Sequence, residues 1–189
     1  MNIGGNFSGI KGTTKKEQIN VGISRLAVAK GEIVLAACSL GSCLGLCLYD
    51  KTARVGGLAH CLLPARPALY RSQAEEGWEP AKYVRQALDE LVRLMEAQGA
   101  ARGRLIAKLF GGAQMFTFGS PVGKEGMGVE QIGRLNGESA YKCLQERGIP
   151  VAASDLGGNS ARSIYFHLDS GRVEVKTISL RNGTVLSEK

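Results

Sequence analysis

The chain has 189 residues, with 24 Lys and Arg against 17 Asp and Glu, a formal net charge of +7. That length fits one domain, and 44% apolar residues with five prolines suffice for a buried core, so collagen-like, low-complexity and wholly disordered chains are excluded. No run approaches the roughly 18 consecutive apolar residues of a membrane span, and Met1-Asn2-Ile3-Gly4-Gly5-Asn6 lacks the apolar centre of a signal peptide. A cytoplasmic protein without membrane insertion is expected. The basic residues are dispersed rather than clustered, so the charge is read as a solvated surface and no nucleic-acid partner is expected.

Residues 1–18, rich in Gly, Ser, Thr, Asn and Lys without apolar periodicity, read as a flexible arm before a single domain over 19–189. Residues 33–38 read as a buried strand, and 44–49 and 55–63 as two more joined through Asp50-Lys51-Thr52-Ala53, a hairpin signal. Residues 64–80, with three prolines and Trp78, read as a surface loop. From Pro80 the period changes to 3.6, with Val84, Leu88, Leu91, Val92 and Met95 on one face and Gly99 beyond the last turn. Arg85, Asp89 and Arg93 form a charged ladder on the outer face.

Residues 105–110 return to strand character and stop at Gly111-Gly112. The glycine-rich stretch 119–128 lacks the spacing of a nucleotide-binding P-loop. A second helix is expected over 136–147, with Ala140, Cys143 and Leu144 inward. Strands follow over 151–154, 163–168 and 172–178, the last two joined by Asp169-Ser170-Gly171. His167 falls on the less buried side of its strand. Strands first, helices between and a strand pair last describe an α+β domain with two main helices.

Five cysteines, Cys38, Cys43, Cys47, Cys61 and Cys143, are an odd number without an export signal, which argues for free thiols. With Asp50 to Ala53 as the hairpin loop, Tyr49 faces Arg54 and Cys43 faces His60 on one side of the sheet, while Leu44, Leu46 and Leu48 turn to the core on the other. A thiol beside an imidazole ionises readily, and the thiolate attacks carbonyl carbon. Backbone N–H groups near Gly41 and Ser42 make a candidate oxyanion hole. A zinc site from Cys43, Cys47, Cys61 and His60 is disfavoured, because Cys47 lies about 13 Å along the strand from Cys43 at ~3.3 Å per residue. The polar run from Asp155 to Arg162, including Asn159 on a Gly157-Gly158 turn, has two open readings, structural caps or substrate contacts.

Leu40-Gly41-Ser42-Cys43-Leu44-Gly45, Gly56-Gly57-Leu58-Ala59-His60, Lys108-Leu109-Phe110-Gly111-Gly112-Ala113, and the run from Asp155 to Arg162 resemble the CheD family of chemoreceptor glutamine deamidases. The resemblance spans about residues 21–178. It implies a three-layer α/β/β sandwich, Cys43 as nucleophile and His60 as general acid/base. It also implies deamidation of glutamine to glutamate on methyl-accepting chemotaxis receptors, with release of ammonia and without metal or organic cofactor. The family's third catalytic position, a threonine, falls on Ala37, with Ser39 the nearest hydroxyl. That departure supports an alternative, a catalytically weak adaptor that binds chemoreceptors and a CheC-type phosphatase.

Overall fold

The computed structural model describes residues 16–66, 79–114, 131–181 and 184–187. Most of the lead-in, most of the loop carrying Trp78 and the glycine-rich stretch 119–128 lie outside them. The described chain is mixed α/β, with two helices and two mixed five-stranded sheets. One sheet runs β1 (Glu17–Asn20), β3 (Ile33–Leu40), β8 (Ala161–His167), β9 (Arg172–Arg181), β10 (Thr184–Ser187). The other runs β2 (Leu26–Lys30), β5 (Val55–Cys61), β4 (Leu44–Asp50), β6 (Ile106–Gly111), β7 (Val151–Leu156). Among the described strands β1 pairs with β3 and β6 with β7 in parallel, and the other strand pairs are antiparallel.

Strand β4 shows why the sequence folds this way. All seven of its residues are buried, because at this central strand both faces of the sheet are covered. Leu44, Leu46 and Leu48 pack with Leu88, Leu91 and Met95 of α1 (Val84–Ala97) and with Ala140 and Leu144 of α2 (Ile132–Glu146). Cys47 and Tyr49 alternate to the opposite face and meet Leu35, Leu40, Ile164 and Phe166 of the other sheet. The period-two expectation therefore holds, but the second face is itself a core rather than a solvent face. Gly57 allows the close helix approach: a Cβ there would lie 2.8 Å from Leu91 Cδ2.

The hairpin register differs from the expected one. Asp50 pairs with Val55, the corner is residues 51–54, and Gly45 rather than Cys43 lies opposite His60. The cause is the Asp50 carboxylate, which accepts from the N–H groups of Thr52 and Ala53 and so keeps Asp50 at the strand end. Moving the corner by one residue slips the pairing by two, which preserves side-chain parity.

Helix α1 begins at Val84 rather than Pro80, because residues 82–84 are tied to Leu63 beyond the end of β5. Its outer charges do not form an internal ladder. Arg85 pairs with Glu146 and Asp89 with Arg147, both on the α2 side, and Arg93 pairs with Glu90. Helix α2 starts at Ile132, four residues before the expected Asn136, which is buried within it. Strands β1 and β2 were not expected at all, and pairing already begins at Glu17. Residues 151–156 belong to the sheet of β6, while β8 and β9 form the expected antiparallel pair. No helix among the described residues is long and apolar enough to cross a membrane.

Candidate functional site

Cys43 sits in the turn between β3 and β4, one residue before β4 begins, and is half-buried. Every carbonyl of Gly41-Ser42-Cys43 is held from inside. Ala113 N–H donates to Gly41 O at 2.7 Å, Asn136 Nδ2 to Ser42 O at 2.9 Å, and Gly112 N–H to Cys43 O at 2.8 Å. In a trans peptide the N–H points opposite to the preceding C=O. The N–H groups of Ser42 and Cys43 therefore point away from Ala113 and Asn136. The turn needs glycine at 111: φ is +99° there, and a Cβ would collide with Cys43 O.

His60 lies on β5 and is 3% exposed. Its Nδ1 is 3.3 Å from Val21 O, and its Nε2 is buried with no hydrogen-bond partner among the described residues. A carbonyl only accepts, so Nδ1 carries the proton and Nε2 keeps its lone pair in the neutral ring. Cys43 packs against the cluster between the sheets, and extending the register one residue past Leu44 sets it diagonal to His60 on that face, a relation that in a regular ladder puts positions roughly 7 Å apart. With Gly45 opposite the imidazole, no side chain stands at the directly facing position.

Burial pushes the Cys43 thiol above its ordinary value, with the residue's own N–H partly offsetting this. Burial also pushes the His60 imidazole below its ordinary value, against the smaller opposite effect of the Val21 carbonyl. Both shifts favour the neutral forms, so the expected ready ionisation is not what the resting geometry favours.

Ala37 is fully buried and offers no hydroxyl, while Ser39 is exposed at a bulge in β3 with φ +55°. Neither occupies the place beside Nδ1, which the Val21 carbonyl takes. Sequence reasoning had no signal for this group, because a backbone acceptor leaves no trace in residue type. Asn136 was missed for another reason: Asn-Gly-Glu resembles a helix start.

Asn159 is exposed in the β7–β8 turn, where its Oδ1 accepts from Ser160 Oγ at 3.4 Å. That turn is joined to the site through Gly157 N–H to Gly111 O and Gln114 N–H to Gly158 O. Asp155 and Arg162 close it with a two-pronged ion pair at 2.9 and 2.8 Å, so part of the run is a structural staple.

Of the other cysteines, Cys61 is near enough to Cys43 for the two to interact electrostatically, but they pack in different core clusters. Cys47 lies between the sheets and Cys61 on the helix side, so a four-ligand zinc site with His60 does not assemble. Burial raises both thiols strongly. A cavity of about 890 Å³ lies between α1 and α2, lined by Arg85, Asp89, Arg93 and Lys142, and neither Cys43 nor His60 borders it. Another, of about 360 Å³ beside Gly112 and Gly133, also excludes them.

The family model described as CheD chemotactic sensory transduction matches residues 62–177. A Moorella thermoacetica protein named probable chemoreceptor glutamine deamidase CheD is 40% identical over 164 residues, covering 87% of this chain and 93% of that protein. A Thermococcus kodakarensis protein of the same name is 42% identical over 169 residues, with 89% and 97% covered. One from Clostridium novyi is 38% identical over 165 residues, with 87% and 96% covered. With most of the chain matched to proteins of one name and the family model spanning more than half of it, this chain belongs to the CheD family.

Proposed function

We propose that this chain is a cytoplasmic amidohydrolase that converts glutamine side chains of chemoreceptors to glutamate, with Cys43 and His60 as its catalytic pair. The carrying observation is the imidazole: Nδ1 is committed to Val21 O, while Nε2 is buried with no partner among the described residues, on the face that Cys43 shares. In this reading Nε2 takes the thiol proton as Cys43 Sγ adds to the amide carbon, because the resting thiol is neutral. The N–H groups of Ser42 and Cys43 receive the developing oxyanion. The imidazolium then protonates the departing nitrogen, which leaves as ammonia. Water, deprotonated by the same Nε2, cleaves the thioester to give glutamate and restore the thiol. One amide and one water yield one acid and one ammonia, and no cofactor enters the balance.

The two core clusters are read as the seams of a three-layer α/β/β sandwich over the single domain. Ala37 favours the second reading, an adaptor that binds receptors and a CheC-type phosphatase without turnover, whereas the Val21 carbonyl supplies the orienting acceptor that catalysis needs.

Incubation with a receptor cytoplasmic fragment separates the two. The expected result is ammonia release with a ~1 Da mass gain per modified glutamine as an amide becomes an acid through a thioester, lost in Cys43→Ala. Unchanged receptor mass with the wild-type protein overturns the enzyme and leaves the adaptor.

A further inference from the structure

We infer that Asn136 is a positioning residue for Cys43, acting as the missing rung at the end of the β4–β5 ladder; this rests on the proposed role of Cys43. The ladder stops at Leu44 opposite Cys61. One step further on, Cys43 faces Leu62, but the carbonyls of Ser42 and Leu62 are both acceptors and cannot bond each other. The Asn136 amide bridges them, with Nδ2 2.9 Å from Ser42 O and 3.2 Å from Leu62 O. The side chain reaches that gap from within α2 and is fully buried. Its orientation is fixed by chemistry, since a flipped amide would set Oδ1 against two carbonyl oxygens.

The bridge has a specific consequence. Holding Ser42 O fixes the Ser42–Cys43 peptide, and with it the Cys43 N–H assigned to the oxyanion. Holding Leu62 O at the same nitrogen ties that peptide to the strand carrying His60, two residues away. Asn136 thereby sets the spacing between the nucleophile turn and the base. Its Oδ1 is buried without a partner among the described residues, so among them the amide is held by its two donor bonds.

The test compares wild type, Cys43→Ala, Asn136→Ala and Asn136→Ser well below their melting temperatures, normalised to folded protein. Turnover of receptor glutamine is read as kcat and KM, and alkylation of Cys43 by iodoacetamide is read by peptide mass mapping. In Asn136→Ala, kcat is expected to fall about 100-fold, the scale of an ångström-sized misplacement, with KM within about twofold. Cys43 alkylation should rise as the turn loosens. A structural role alone would lower the melting temperature without moving the two rates in opposite directions.

Asn136→Ser keeps one donor and should lie between, which also serves if Asn136→Ala does not fold. Wild-type kcat and wild-type alkylation in either folded variant overturn the inference while leaving the deamidase reading intact. Absence of turnover in wild type overturns the deamidase reading, and the alkylation rates still judge whether Asn136 holds the turn.

Discussion

Burial pushes the Cys43 thiol up and the His60 imidazole down, so in the proposed mechanism proton transfer between them belongs to the attack step rather than to the resting protein. Alkylation of Cys43 should then rise about tenfold per pH unit from pH 7 to beyond 9, since only the thiolate reacts. A plateau starting near neutrality would instead indicate a preformed thiolate–imidazolium pair. The sign for His60 runs the other way. Its lowered value keeps Nε2 unprotonated further into acid than an ordinary imidazole, so kcat/KM for the receptor should persist into mildly acidic solution and fall only as the ring protonates. Alternation alone predicts that Cys43 and His60 share one face, and the two-residue slip in register leaves that parity unchanged. Their supports were not: Val21 contributes a carbonyl, and Asn136 contributes an amide whose partners are 94 and 74 residues away in sequence.

At the scale of elements, the β4–β5 corner decides the register, and Asp50 decides the corner. Its carboxylate accepts from Thr52, Ala53 and Ala101 N–H groups and from Arg104, so one side chain shapes the hairpin and anchors the turn after α1. Burial pushes this carboxyl upward, but the Arg104 and backbone donors outweigh it and bring the pKa down to about 2 from 3.8. A value lowered on folding stabilises the native state above the unfolded pKa, so the contribution is complete above about pH 4 and drains away as pH falls toward 2. Asp50→Asn should cost about 2 kcal/mol at pH 7 in chemical denaturation, with the difference from wild type shrinking in acid. Sequence alone read Asp50 as a loop residue, because Asp is a turn former; that its side chain reaches back to cap the turn from the strand end depends on groups beyond α1. Parity survived because the resulting slip was two residues.

For the whole molecule, the strand-and-helix alternation of residues 33–63 and 80–111 was readable because each apolar stripe has a full-length partner. Strands β1 and β2 were not, since they are short and half-exposed and gain their identity only by pairing with β3 and β5. The double burial of the central sheet was hidden for a related reason: Gly45, Gly56 and Gly57 look like punctuation but are where neighbouring layers come close. This packing separates the thiols by access. In native protein, iodoacetamide should label Cys38 and Cys43, whereas Cys47, Cys61 and Cys143 should react only after denaturation. Labelling of Cys47 or Cys61 under native conditions would contradict a sheet covered on both sides.

The three carbonyls around Cys43 are gripped by Gly112, Ala113 and Asn136, all far downstream of the cysteine they support. A growing polypeptide therefore exposes its sulfur long before the grips exist. In the proposed mechanism, competence for amide cleavage is gained only once residues 112–136 have been made, so a half-made copy would carry the sulfur without the means to use it.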